Sequence, residues 1–283
     1  MATSWQTIGF EKNKKFFEGL IRNGQLAHAY LFSGQDMIGK RTFALELANQ
    51  FNQLSNPDIL FVNSAGSESG QTIAIEEVRK IKNFVYLSPY VGKHKFIIID
   101  DAHLMTVEAQ NALLKILEEP NPSSILILIS ANPESLLPTI TSRCQEIKFF
   151  PHPGPAIESV LAESGASKVK ADFLMDFANG RIGLVKKIIE EKSYDEVEGS
   201  VKELMGLVKA DINERLIVAQ KLTDEKNKGE LPRKVLYWTL YLRTRLNEPK
   251  AHKILKNLLA LHEIINKPQF NQRLALESFL VQL

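Results

Sequence analysis

Residues 34–42 read Gly34-Gln35-Asp36-Met37-Ile38-Gly39-Lys40-Arg41-Thr42. This is nearly a phosphate-binding loop, G-x-x-x-x-G-K followed by Ser or Thr. In that loop backbone N–H groups and the lysine cradle phosphates, and the hydroxyl holds Mg²⁺. Arg41 stands where the hydroxyl should be. A guanidinium has no acceptor atom and carries its own positive charge, so it cannot ligate a metal ion. Thr42 does not restore the ligand, because one further residue along a helix turns the side chain by about 100°. Gly34, Gly39 and Lys40 keep what attracts a phosphate, while the ligand for magnesium is missing. Binding by Lys40 is left open at this level, since a helix N-terminus attracts anions without any metal.

A second group is Phe96-Ile97-Ile98-Ile99-Asp100-Asp101-Ala102-His103. An apolar strand ending in acids is how a phosphate-loop protein offers one carboxylate to Mg²⁺ and another to the attacking water. Asp100 takes the metal-side position. Asp101 takes the water-side position, where a Glu would be longer by one methylene, roughly 1.5 Å. A misplacement of about 1 Å can cost on the order of 100-fold in rate. Ser130 and Asn132 end the next strand and are both candidates for sensing a terminal phosphate; spacing does not choose between them. Arg143 lies in Thr141-Ser142-Arg143-Cys144, a polar turn before the last strand. A lone arginine there is most often a solvated charge or a local ion pair. Cys144 has no base nearby in sequence and reads as a packing residue. His28, His94 and His103 show no metal-ligand spacing.

These residues need a scaffold that brings strand ends together. Apolar runs at Ala29–Ser33, Ile59–Val62, Phe96–Asp100, Ile125–Ser130 and Ile147–Phe150 predict five strands. Most are continuous, as expected of parallel strands buried on both faces. Helical periodicity separates them at Lys40–Phe51, Ile75–Val85 and Leu104–Glu119. The pattern predicts a doubly wound α/β domain over 1–150, with ligands near the carboxyl ends of the strands. Beyond Pro151-His152-Pro153-Gly154-Pro155 only helical patterns remain. Breaks at Gly165, Asn179-Gly180, Lys192-Ser193, Lys228–Pro232 and Asn247–Pro249 divide them, and predict a small helical domain over 151–192 and a larger bundle over 193–283.

The composition sets outer limits. The chain has 283 residues and a formal net charge of +2, with 14 basic and 15 acidic side chains in residues 1–150. A dedicated DNA-binding domain shows a far stronger basic footprint. Contact with nucleic acid would therefore run through a few phosphate contacts, or through a larger assembly. Cys144 is the single cysteine, so neither an internal disulfide nor a cysteine-rich zinc site is available. No apolar run approaches the roughly 20 residues of a membrane helix, and the first residues do not form a signal peptide. A cytoplasmic protein is expected.

In this order the motifs resemble the clamp-loader branch of the AAA+ superfamily. The lead-in Leu26–Gly34, the stretch Ala109-Gln110-Asn111-Ala112-Leu113-Leu114-Lys115-Ile116-Leu117-Glu118-Glu119-Pro120, and Ser142-Arg143-Cys144 are similar to that family over about residues 7–150. The resemblance implies an AAA+ domain with a parallel five-stranded sheet, a small helical lid and a C-terminal helical collar. It implies gamma/tau motor subunits and a delta subunit as partners, with transient contact to the sliding clamp and primed DNA, and no membrane. It gives Arg143 the role of an arginine finger acting in trans on a neighbouring subunit's ATP. Arg41 and Asp101 depart from the motor pattern, as does Gly183 in Ala178-Asn179-Gly180-Arg181-Ile182-Gly183-Leu184, where motors carry a second sensor arginine. A shifted register would put Arg181 there instead. A four-cysteine zinc module, frequent in the family, is absent, since Gln53–Gln71 contains no cysteine.

A stationary subunit follows, with ATP/ADP and Mg²⁺ as uncertain cofactors and no zinc. Two alternatives differ in class. One is a working Mg-ATPase using Lys40, Asp100 and Asp101; the other is a nucleotide-binding interaction protein outside replication.

Overall fold

A computed structural model describes residues 5–51, 57–64, 72–224, 229–265 and 270–283. Two compact units make it up. One takes in the residues up to Ile157 together with Gly180–Leu184, the other Glu158–Asn179 and Val185–Leu283.

In the first unit, β1 (Ala29–Ser33), β2 (Ile59–Val62), β3 (Lys95–Ile99), β4 (Ser124–Ser130) and β5 (Gln145–Lys148) form one parallel sheet. Their order is β2-β3-β4-β1-β5. β1, β3 and β4 are buried along their whole lengths, which requires helices on both faces. The two-residue alternation allots the side chains. Leu31, Ile97, Ile99, Leu126 and Leu128 meet α3 (Ile75–Tyr86) and α4 (Val107–Glu118). Tyr30, Phe32, Phe96, Ile98 and Ile127 meet Phe17 of α1 (Glu11–Asn23) and Phe43, Ala44 and Leu47 of α2 (Lys40–Phe51). Each fully buried Leu, Ile or Phe contributes roughly 1.5–3 kcal/mol, so this double-sided packing holds the strand ends in place.

Several boundaries differ from expectation. The expected helix Leu104–Glu119 begins at Val107, because the Thr106 hydroxyl accepts the Ala109 N–H at 3.2 Å and residues 102–104 form a single 3-10 turn. The last strand, expected at Ile147–Phe150, is Gln145–Lys148. Its register is set by pairing Tyr30 with Gln145 and Ser33 with Lys148, so an edge strand of polar residues starts directly after the Arg143 turn. Helix α1 was not expected at all. It is rich in lysine, buries Phe17 and Lys14, and stops at Gly24, which adopts φ 65°.

The second unit is helical. Among its elements are α7 (Lys168–Ala178), α9 (Tyr194–Lys209), α10 (Ile212–Thr223), α11 (Glu230–Arg243), α12 (Ala251–Ile265) and α13 (Gln272–Val281), while α6 (Gly154–Glu163) and α8 (Ile182–Glu190) run from the first unit into it. The core of α9–α13 forms around Trp238, whose indole N–H donates to the Ser200 carbonyl at 2.8 Å. Pro232 lies in the first turn of α11, where its missing N–H costs nothing. Between α9 and α10 there is neither Gly nor Pro; the Asp211 carboxylate makes the break by accepting the Glu214 N–H at 2.9 Å.

Candidate functional site

The phosphate-loop region starts where β1 ends. Gly34 adopts φ +146°, and a Cβ there would lie 2.2 Å from the Phe149 carbonyl oxygen, so only glycine lets the loop leave the sheet at this point. Gly39, at φ +107°, ends the loop at the first turn of α2. Lys40 occupies its expected place but turns back on the loop. Its ammonium donates to the carbonyls of Gly34 and Gln35, both at 2.6 Å, and the residue is 5% exposed. Burial lowers its pKa, opposed by the charges of Asp36, Asp100 and Asp101.

Asp100 sits one residue past the end of β3, its N–H donating to the Val62 carbonyl at 2.8 Å. Burial raises its pKa, as does the charge of Asp101, against the lowering effect of Arg41, the Asp101 N–H and Lys40. Asp101 takes a left-handed conformation, φ 50°, with its N–H on Asp100 Oδ1 at 3.2 Å. Arg41 supplies the decisive contact. A terminal nitrogen of its guanidinium lies 3.9 Å from Asp100 Oδ2, and its Cζ lies 4.3 Å from the centre of the Phe61 ring. The carboxylate that would face a metal faces an arginine instead. Thr42 is exposed. With a cation in place of the hydroxyl ligand, these residues do not suit Mg²⁺.

The chain also closes on the loop's outer carbonyls. The Gly183 N–H donates to the Met37 carbonyl at 2.7 Å, and a Cβ on Gly183 would stand 2.6 Å from that oxygen. The His152 ring meets the Ile38 carbonyl at 2.8 Å through Nε2. At Gly183 the segment meets the loop through backbone alone. Arg181, in the same segment, is buried.

Ser130 and Asn132 are both engaged locally. Ser130 is fully buried, its hydroxyl accepting the Asn132 N–H at 3.1 Å, while the exposed Asn132 amide donates to the Ser135 hydroxyl at 2.7 Å. The structure thus gathers Gly34, Gly39, Lys40, Arg41, Asp100 and Asp101 about one strand-end cluster, with Ser130 against Gly34, whose N–H donates to the Ser130 carbonyl at 3.2 Å.

Arg143 belongs to a separate arrangement. It follows the one-turn helix α5 (Pro138–Thr141), with 37% of its side chain exposed. Its guanidinium donates to the Thr139 carbonyl at 3.0 Å and to Glu118 Oε1 at 2.9 Å. Sequence reasoning missed what supports this turn. Gln110, buried on α4, accepts the Leu137 N–H at 2.8 Å and donates to the Met105 carbonyl at 3.2 Å, so α4 anchors the segment that leads to Arg143. A polar residue within an apolar helical stripe was the available signal. Cys144 packs against the core on the α3–α4 face of the sheet, and burial pushes its thiol up to about 12.

Comparison with known proteins decides the family. The model of the family described as DNA polymerase III, delta subunit, matches residues 49–153. DNA polymerase III subunit delta' of Pseudomonas aeruginosa is 30% identical across 91% of this chain and 92% of its own length. The chain belongs to the DNA polymerase III delta' family. The delta' subunit of Bacillus subtilis is 31% identical over 69% of this chain and 64% of its own. A gamma/tau subunit of Mycoplasma pneumoniae is also 31% identical, but over 61% of this chain and 28% of its own, so the delta' likeness extends further along both chains. In fold, the chain resembles the gamma subunit-related protein of Thermotoga maritima, with a TM-score of 0.60 at 21% identity over 94% of this chain and 97% of that one. The parallel sheet, phosphate-loop region and trailing helices give this delta' family member the fold of that protein.

Proposed function

We propose that this chain is the stationary subunit of the DNA polymerase III clamp loader, helping to load a sliding clamp onto primed DNA in the cytoplasm. In this reading its own nucleotide site does not hydrolyse ATP, and Arg143 serves the ATP site of a neighbouring gamma/tau motor subunit. Residues 151–192 would act as the lid, and 193–283 as the collar that joins the motor and delta subunits.

The pair of Arg41 with Asp100 carries the proposal. It places a fixed positive charge against the carboxylate that metal-dependent hydrolysis needs. The loop carbonyls engaged by Lys40, Gly183 and His152 point the same way. Arg143, by contrast, stays accessible. A guanidinium matches the geometry of a phosphate, and an arginine finger supplied in trans is worth about 10³–10⁵ in rate in related systems.

The test is DNA-stimulated ATP turnover by motor and delta subunits reconstituted with this chain, wild type or Arg143→Ala, with co-elution checked in the same samples. Turnover should require the chain and collapse in the variant while assembly survives. Full turnover without the arginine would remove the finger assignment, and failure to assemble would remove the clamp-loader reading.

A further inference from the structure

Glu118 is the last residue of α4, and its carboxylate reaches the arginine turn from outside that turn. The pair is accessible, with 51% of the Glu118 side chain and 37% of the Arg143 side chain exposed. An ion pair of this kind adds at most about 1 kcal/mol to folding, so stability alone does not account for it. Its geometry has another consequence. A guanidinium carries five N–H donors. One donates to the Thr139 carbonyl and another to Glu118 Oε1, which leaves three without a partner among the described residues. Two fixed arms and three free donors describe a held cation. A long side chain that would otherwise sample many rotamers is held at two points, the Thr139 carbonyl within α5 and the Glu118 carboxylate at the end of α4.

We propose that Glu118 is a positioning residue for Arg143, holding the guanidinium so that its remaining N–H groups face a phosphate of a neighbouring nucleotide. The proposal rests on the finger reading above. Glu118 acts here only through Arg143 and does not meet the nucleotide itself. Its negative charge weakens the pull of Arg143 on an anion, so the gain comes from orientation. An error of about 1 Å in placing a catalytic group can cost on the order of 100-fold.

The experiment measures kcat and KM for ATP in the reconstituted assembly containing wild-type chain, Glu118→Ala, Glu118→Gln, Arg143→Ala or the double variant Glu118→Ala/Arg143→Ala. Glu118→Ala should lower kcat by about ten-fold with KM little changed, an intermediate loss of positioning. Glu118→Gln keeps an acceptor oxygen and should stay close to wild type. In the Arg143→Ala background, Glu118→Ala should cost nothing more, because residues acting through one another are non-additive. Unchanged kcat in Glu118→Ala, beside a collapse in Arg143→Ala, would overturn the positioning role and leave the finger intact. A rise in kcat would show that Glu118 restrains the arginine, and a loss that persists in the double variant would show a structural role; either overturns the proposal. If Arg143→Ala itself retains full turnover, the finger reading falls and Glu118 has nothing to position.

Discussion

At the scale of single residues, the position after Lys40 sets this phosphate-loop region apart from one that carries a hydroxyl ligand. Arg41 brings a permanent charge to Asp100 and rests on Phe61, two contacts that a serine would lack. Arg41→Ser alone should therefore not create ATP turnover in the isolated chain, because Asp101 is short and the Lys40 ammonium is held by two loop carbonyls. Measurable magnesium-dependent hydrolysis by that variant would show the other departures to be incidental. Gly183 matters by having no side chain. In Gly183→Ala the new methyl would meet the Met37 carbonyl oxygen 2.6 Å away, and overpacking of this kind costs about 1–3 kcal/mol. Urea denaturation should detect that loss, while Arg143→Ala, on the surface, should leave the midpoint within error.

At the scale of elements, two polar anchors hold segments that hydrophobic packing alone would leave loose. The buried Asp58 carboxylate, just before β2, accepts the N–H groups of Tyr90, Val91 and Gly92 at 2.7, 2.8 and 3.1 Å, shaping the loop between α3 and β3. Burial alone would raise its pKa, but these three bonds and the charge of Lys95 bring it below the usual aspartate value. A lowered folded pKa means stabilisation that is complete above the unfolded value of about 4 and is lost as pH falls through the folded one. The gap in melting temperature between wild type and Asp58→Asn should thus be widest above about pH 5 and close on acidification. A gap independent of pH would deny the carboxylate this role. In the helical unit, Arg215 donates to the carbonyls of Leu207, Val208 and Leu280 at 2.9, 3.2 and 3.1 Å, joining the last turns of α9 and α13. Bonds from a charged donor to orphan helix-end carbonyls are worth about 1.5–3 kcal/mol, so Arg215→Met should lower stability by about that amount in denaturant titration.

At the scale of the whole molecule, the sequence disclosed what repeats or punctuates. Continuous apolar strands, the glycine pair around the loop and the breaks at Gly165, Asn179-Gly180, Lys192-Ser193 and Asn247–Pro249 were legible, because local chemistry alone sets them; of the break expected at Lys228–Pro232, Lys228 lies outside the described residues and Glu230–Pro232 open α11. Helix α1 was not legible, since few apolar side chains bury it and its partners are distant in sequence. The α9–α10 break depends on a single capping Asp, and the start of β5 on pairing with β1. The candidate site followed the same division. Lys40, Arg41 and Asp100 could be named from spacing, whereas the closure of the loop by Gly183 and His152, the anchoring by Gln110 and the grip of Glu118 on Arg143 join residues 25 to 146 positions apart. Among the described residues no helix is long and apolar enough to cross a membrane.

The central claim is a division of labour, in which the chain's own phosphate loop is idle and its arginine serves a neighbour. The most direct test compares two substitutions within this chain, Lys40→Ala and Arg143→Ala, in the reconstituted assembly, with each variant first shown to fold and co-elute with its partners. DNA-stimulated turnover should survive Lys40→Ala and fall by about 10³-fold or more in Arg143→Ala. The reverse pattern, turnover lost with Lys40 and kept without Arg143, would identify the chain as a working ATPase and contradict the account.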